Sequence, residues 1–511
     1  MGMLDYKSYE EAREKFTWEQ PWELFDGTPE NFNMAHECID RHVGKGTAIR
    51  IKFEDGHREQ YNFDTISKMS SQFAHSLKKI GVEFGDRVAI MLDPTLEYYV
   101  SFFGTLKMAA VAVPCYTQFG PDALAFRLKD SGAKVLVTTE ELKSMAAETP
   151  DVRIITVGEV FREFLSGSPE QFETNNPAKH EAVYQYTSGT TRKYPEAIKH
   201  YHRSIVTLIP AAVFGRGFKY GDRYFCPANP AWGHGLWHGT LSPLALGIPV
   251  GAYSGKFDME KFLEGLVEFK IDNLGAAPTV YRLMKNSGLL GNYDLKIKKM
   301  HYTGEPMDTE TFHFLKDTFG VPPHSGYGST EVGALIYQYA GFENWDEKPG
   351  SLGKPMPGRD IVLIDKQGDP VAQGDIGEIA MKRKGELFRV KDAAVMDEDG
   401  YYWHKGRVDD VIISSGWTIS PTEVEDSMLK HPAILEVAVI GVPDKDRGHI
   451  VKAFVVSGQA PSEELKKDIK NFVKDKLSKH EYPREIEFLK SLPKTEGGKV
   501  KKVELKNRHQ Q

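Results

Sequence analysis

The stretch "DRVAIMLDPTLEYYVSFFGTLKMAAVAVP", Asp86 to Pro114, runs from a β-rich segment through a helical pattern into a second short β-rich segment. A strand, a crossover helix and another strand make a βαβ unit. The central part is apolar, yet it contains Lys107 and the stretch stops at Pro114, so it predicts a buried helix rather than a membrane span. The same alternation continues in "AKVLVTT" and "VRIITV" and through much of the first four hundred residues. It predicts an α/β protein with open sheets, whose ligands bind at loops beyond the carboxyl ends of the strands.

Near residue 407 the character changes. "DEDGYYWHKGRVDDVIISSGWTISPTEVE" is rich in Gly and Asp and leads into a compact α/β pattern. A helix is predicted from about Pro421, with Glu423 and Glu425 early, where the helix dipole favours acids. "AILEVAVIGVP" and "VKAFVVSG" read as strands, and "SEELKKDIKNFVKDKLSKH" puts Leu465, Ile469, Phe472, Val473 and Leu477 on one helical stripe. From Gly441 onward the chain holds 17 Lys and Arg against 11 Asp and Glu. The bland reading of each Lys is a solvated face, but a small basic lobe also suits a polyanionic ligand.

A length of 511 residues exceeds one ordinary core, so two or more domains are expected. A net charge of −7 argues against nucleic acid as the main partner. The three cysteines, Cys38, Cys115 and Cys226, form no metal-type pair and read as buried free thiols suited to a reducing cytoplasm. The opening "MGMLDYKSYEEAREKF" has no apolar stretch of a secretory leader, and Tyr6 breaks the myristoylation pattern. The expectation is a cytoplasmic enzyme with no membrane anchor; its oligomeric state is not legible.

Five segments carry chemistry. "YTSGTTRKYPEAIKH", Tyr186 to His200, begins as a small hydroxylated loop of the kind that wraps an anion with backbone N–H groups. It is not a Walker loop, since no G-x-x-x-x-G-K-[ST] occurs there. "YTGEPM" holds Gly304, Glu305 and Pro306. "HSGYGSTEVG" adds a second Gly and hydroxyl cluster ending in an acid. "FRVKDAAVMDEDGYYWHKGRVDD" holds Asp392 and Arg407, and "LPKTEGGKVKK" holds Lys499 after two glycines.

Taken together and in this order, the five segments resemble the adenylate-forming superfamily of acyl-CoA synthetases, aryl-CoA ligases, luciferase-like enzymes and peptide-synthetase adenylation domains. The resemblance covers nearly the whole chain. It implies a large multi-sheet N-terminal domain over residues 1–407 and a small mobile α/β domain over 408–511, with a hinge at Asp409. It implies that Thr187, Ser188, Gly189, Thr190 and Thr191 hold the β- and γ-phosphates of ATP. Gly304, Glu305 and Pro306, with Ser325, Gly326, Tyr327, Gly328 and Ser329, would border adenine, Tyr327 against its face. Thr330 would touch the α-phosphate, Glu331 would bind Mg2+, and Asp392 would accept from the ribose hydroxyls beside Arg407. Lys499 would bridge the acid and the α-phosphate. Ser415 and Gly416 would line the tunnel of coenzyme A, the second co-substrate.

The sequence departs from the family pattern in places. Arg192 replaces a phosphate-loop glycine, and Arg192, Lys193 and Lys199 are alternative cations for the phosphates. Ser325 stands where many relatives have Asp or Asn, and Thr418 where acetate-activating ones carry Arg. Gly328 stands where acetate-specific relatives close the pocket with Trp, which implies a larger acid. The acyl pocket is expected from Ala231, Trp232, His234, Gly235, Trp237, Thr303 and Gly328, apolar enough for an aromatic, alicyclic or medium-chain acid. His234 reads as a structural histidine. The leading reading is an AMP-forming acid–CoA ligase; transfer to a carrier-protein thiol and a non-catalytic nucleotide-binding relative are the alternatives.

Overall fold

The computed structural model describes residues 2–187, 196–329, 332–408, 410, 412–414, 417–444, 448–476, 482–494 and 499–510. The predicted βαβ unit is present. Strand Arg87–Met91 leads through helix Leu96–Lys107 to strand Val111–Pro114, and the two strands pair in parallel. Thr95 caps the helix by accepting from the Tyr98 backbone N–H at 3.3 Å. Every residue from Tyr98 to Lys107 is buried, which is why the helix is apolar almost all round. No described helix is long and apolar enough to cross a membrane. Lys107 belongs there because its amine donates to Asp40 Oδ1 at 2.6 Å, the Ser67 carbonyl at 2.9 Å and Ser71 Oγ at 2.8 Å.

This unit lies in a six-stranded sheet that also contains Ala133–Thr138 and Arg153–Thr156, as predicted, and ends in the hairpin Glu181–Thr187/Glu196–Tyr201. A second, nine-stranded sheet runs parallel through Thr47–Phe53, Val250–Ser254, Tyr224–Phe225, Asn273–Ala276, Lys299–Tyr302 and Pro323–Ser329. It turns antiparallel at Gly333–Tyr337. A four-stranded antiparallel sheet follows: Asp360–Ile364, Gly377–Arg383, Glu386–Met396 and Tyr402–Arg407.

The C-terminal unit has its own sheet, built on the long pair Ile434–Asp444/Gly448–Ser457, which matches the two predicted strands. Helix Pro421–Leu429 starts where expected, with Ser420 accepting from the Glu423 N–H. Helix Glu463–Lys476 buries Leu465, Ile469 and Val473 on its stripe, with Phe472 packed beside them; Leu477 lies outside the described residues. The unit touches the larger one through Lys405, paired with Glu423, and through Ser420 Oγ, which donates to the Lys405 carbonyl at 3.1 Å. All three cysteines are buried free thiols.

Helix Leu96–Lys107 also packs closely on helix Phe63–Lys79 at Gly104. A Cβ there would stand 2.7 Å from the Ser70 carbonyl oxygen and 2.8 Å from the Phe73 ring. Gly104→Ala is expected to cost about 2 kcal/mol, the usual price of overpacking a core. Urea denaturation measures it; an unchanged midpoint would contradict the close approach.

Candidate active site

The register of the nine-stranded sheet assembles the site. Asn273–Ala276 pairs residue for residue with Lys299–Tyr302, and Met300–Tyr302 with Pro323–Ser325. The loops after these strands therefore leave the sheet at one rim. The loop holding Gly304, Glu305 and Pro306 is pinned by Glu305, which accepts from the Thr279 N–H at 2.8 Å, from the Thr279 hydroxyl, and from Arg282 Nη2 at 3.0 Å. The Glu305 carboxylate is thus spent on anchoring helix Pro278–Ser287, and the exposed backbone of Gly304 is what the loop offers a ligand. Ser325 is buried beside the Tyr302 phenol.

Tyr327 and Asp392 come together from two different sheets. The Tyr327 hydroxyl donates to Asp392 Oδ2 at 2.6 Å. Arg407 is the cross-strand partner of Asp392, with Nη1 at 3.7 Å from Oδ1, and His404 Nε2 is 3.9 Å from the same oxygen. Burial pushes the Asp392 carboxyl up, but His404, Tyr327 and Arg407 outweigh it and hold the group below its ordinary range. The result is a half-buried carboxylate kept ionised beside an aromatic ring.

Two glycines of the hairpin answer backbone needs. A Cβ on Gly326 would lie 2.6 Å from the Tyr337 ring, and one on Gly328 only 2.2 Å from the Gly333 carbonyl oxygen. Gly328, read from sequence as a missing pocket floor, is therefore also demanded by the close hairpin. Ser329 Oγ accepts from the Val332 N–H at 3.3 Å.

The wall expected for the acyl pocket follows the segment from Ala231. Ala231 donates its N–H to Asn229 Oδ1 at 2.8 Å and its carbonyl accepts from Gln185 at 3.3 Å. Trp232 packs on Tyr116 with ring centroids 5.5 Å apart. Trp237 faces the six-stranded sheet, donating to Gln185 Oε1 at 3.0 Å and lying 4.6 Å from the His200 ring. Gly235 is locked against the Ala228 and Asn229 carbonyls. Thr303 is half-buried at the rim. His234 reaches Cys226 Sγ at 3.9 Å.

Behind this wall the structure shows what the sequence reading passed over: Arg216, fully buried, among Tyr224, His238 and His301. The one signal was an arginine between two glycines in "AAVFGRGF".

Other expected residues stand apart or beyond view. Lys199, a candidate phosphate cation, pairs with Glu181 at 3.3 Å and covers the Tyr184 ring. Lys499 is exposed, next to Val500, which makes an antiparallel bridge with Lys494. Ser188, Gly189, Thr190, Thr191, Arg192, Lys193, Thr330, Glu331, Asp409, Ser415 and Gly416 lie outside the described residues. Among the described residues no group of three or more His, Cys, Asp or Glu is placed to hold a metal.

Comparison with known proteins gives a consistent picture. The AMP-binding enzyme family profile matches residues 39–389, and that of the AMP-binding enzyme C-terminal domain matches 423–499. An acetyl-coenzyme A synthetase of Bacillus subtilis (strain 168) is 32% identical over 99% of this chain and 96% of its own length. The crystal structure of a Brucella canis acyl-CoA synthetase superposes with a TM-score of 0.77 at 30% identity, covering 99% of this chain and all of that one. An anthranilate CoA ligase, AuaEII, in complex with anthranoyl-AMP superposes with a TM-score of 0.86 at 28% identity, covering 94% of this chain and 98% of that one.

The state of Asp392 is testable by pH. Its native pKa lies below the ordinary 3.8, so its contribution to stability is complete above that value and is lost as the pH falls through the native pKa. Asp392→Asn should lower the urea midpoint at pH 7, and the gap to the unmodified protein should close in more acid solution. A gap independent of pH would contradict an ionised Asp392.

Proposed function

This chain belongs to the AMP-binding enzyme family, in its acyl-CoA synthetase branch, and from that premise we propose how this acid–thiol ligase works and on what. It joins a carboxylic acid larger than acetate, of aromatic, alicyclic or medium-chain size, to coenzyme A at the expense of ATP. The observation that carries the reading is the ionised Asp392, held by Arg407, His404 and Tyr327 at the edge of the Gly-rich hairpin.

A carboxylic acid is a poor acyl donor because oxide would have to leave. In the first half-reaction an oxygen of the acid attacks the α-phosphorus of ATP, the bond to the β-phosphate oxygen breaks, and pyrophosphate departs. Positioning and charge stabilisation dominate such a step. Asp392 accepts from the ribose hydroxyls, Tyr327 lies against adenine, and the exposed backbone at Gly304 borders the base. Residues 187–191 hold the outgoing phosphates, and Thr330 touches the α-phosphate. Glu331 suits Mg2+, which binds through one or two carboxylates together with substrate phosphates; bound there, the ion neutralises phosphate charge. Lys499 supplies the cation between acid and α-phosphate. In the second half-reaction the thiol sulfur attacks the acyl carbon, AMP leaves, and the thiol proton passes to solvent. We assign Ser415 and Gly416 to the path of the incoming thiol. Asp409 is the hinge on which residues 408–511 turn, withdrawing Lys499 between the two steps.

Pyrophosphate release with ATP, Mg2+, CoA and a panel of acids tests the reading, and its absence with every acid would sink it. Lys499→Ala should slow adenylation by about 10²–10³, the cost of losing one transition-state donor. Transfer from preformed acyl-AMP to CoA should fall by less than about tenfold, as expected of a residue used only in the transition state of the first step. Equal losses in both steps would remove Lys499 from the assigned role.

A further inference from the structure

Arg216 follows the short helical segment Ala211–Gly215 and is 1% exposed. Its Nη1 donates to the Tyr337 hydroxyl at 3.4 Å, its guanidinium carbon lies 5.4 Å from the Tyr337 ring centre, and its Nε has no partner. Among the described residues no carboxylate pairs with it. A cation buried without a counter-charge is costly, so such groups are paired or bind something.

The groups around it are polar and unpartnered. The Tyr224 hydroxyl, both ring nitrogens of His301 and Nδ1 of His238 are buried without hydrogen-bond partners. Tyr224 and His301 stack at 5.5 Å. A Cβ on Gly275 would stand 2.3 Å from His301 and 2.4 Å from the Tyr224 hydroxyl, so the backbone gives way to seat these two rings. Burial first and the Arg216 charge second keep the imidazoles neutral, with His234 pushed down to about 3 and His238 and His301 well below their ordinary range. The lining is thus one permanent cation with a phenol and neutral imidazoles, each imidazole offering one N–H donor and one acceptor nitrogen.

The place of the cluster links it to the acyl wall. His234 and His238 lie four residues apart on one helical face. Both keep some surface accessible although they sit deep in the protein. His301 lies two residues, roughly 7 Å, behind Thr303 along the strand direction. His238, on the Trp232–Trp237 segment, and His301, behind Thr303, both feel the Arg216 charge, which places Arg216 behind the residues expected to line the acyl pocket.

We propose that the substrate acid carries a second carboxylate at its far end, bound by Arg216 with donors from His301, Tyr224 and His238. This rests on the ligase reading of the site and narrows its acid to a dicarboxylic one of that size. The guanidinium fork matches a carboxylate with two parallel bonds, and a monoacid of equal length leaves the cation unpaired.

Length-matched pairs test it: hexanoate with adipate, octanoate with suberate, and 4-methylbenzoate with terephthalate. Each is assayed by pyrophosphate release with the full chain, ATP, Mg2+ and CoA. At least one diacid should exceed its monoacid in kcat/KM by about 100-fold or more, since a site built for a charged partner rejects the analogue lacking it. Arg216→Met should bring that ratio to within about tenfold of unity. Its melting temperature should be unchanged or raised, because an unpaired buried charge has gone. Retention of the diacid preference in Arg216→Met would overturn the proposal, as would monoacids matching or beating diacids in the unmodified protein. That second comparison decides even where the variant does not fold. Turnover of monoacids alone leaves the ligase reading standing, whereas no pyrophosphate from any acid removes that reading and this proposal together.

Discussion

The site depends on one constraint: the central strands of the nine-stranded sheet run parallel and in register, so their carboxyl ends reach the same rim. Asn273–Ala276, Lys299–Tyr302 and Pro323–Ser329 each deliver a loop or helix start there. Once the ends are level, the Thr279 and Arg282 side chains can clamp Glu305 and hold the intervening loop still. The crevice outside the carboxyl ends of parallel strands is where open α/β sheets bind ligands. The hairpin of the six-stranded sheet supplies Gln185, which bonds both Ala231 and Trp237, so the two sheets are joined at the wall of the same region.

Buried charge is handled in three ways, and the contrast is informative. Lys107 is enclosed and fully satisfied by Asp40, Ser67 and Ser71, which is what a structural charge requires. Asp392 is held by Tyr327, His404 and Arg407 yet keeps part of its surface accessible. Arg216 is enclosed with one weak partner and an unmatched Nε. Among the described residues other guanidinium nitrogens, such as Arg359 Nε, are also unmatched, but Arg216 is the most fully enclosed of these arginines, and departures from local consistency tend to mark function.

Much of the architecture was legible beforehand because it rests on local pattern. The strand–helix–strand reading of Asp86–Pro114, the strands at Ala133 and Arg153, and the helix starting at Pro421 all correspond to elements of the structure. So does the Leu465, Ile469, Val473 stripe. The motif segments also pointed to the family. Less legible were side-chain duties within those segments. Glu305 was expected to border adenine, and its side chain also anchors the neighbouring helix; Trp237 was expected in the pocket, and its indole also packs on Gln185 and His200. Gly328 stood out for the side chain it lacks, while its neighbour Gly333 leaves no room for one.

The sequence by itself determined the periodicities, the turn chemistry and the order of the motifs, since each is written within a few consecutive residues. Only the tertiary structure decided which groups meet. Asp392 finds Tyr327 across 65 positions of chain, and Arg216 finds Tyr337 across 121. Whether a charge is paired is a property of everything that surrounds it in space, and no local pattern records those neighbours.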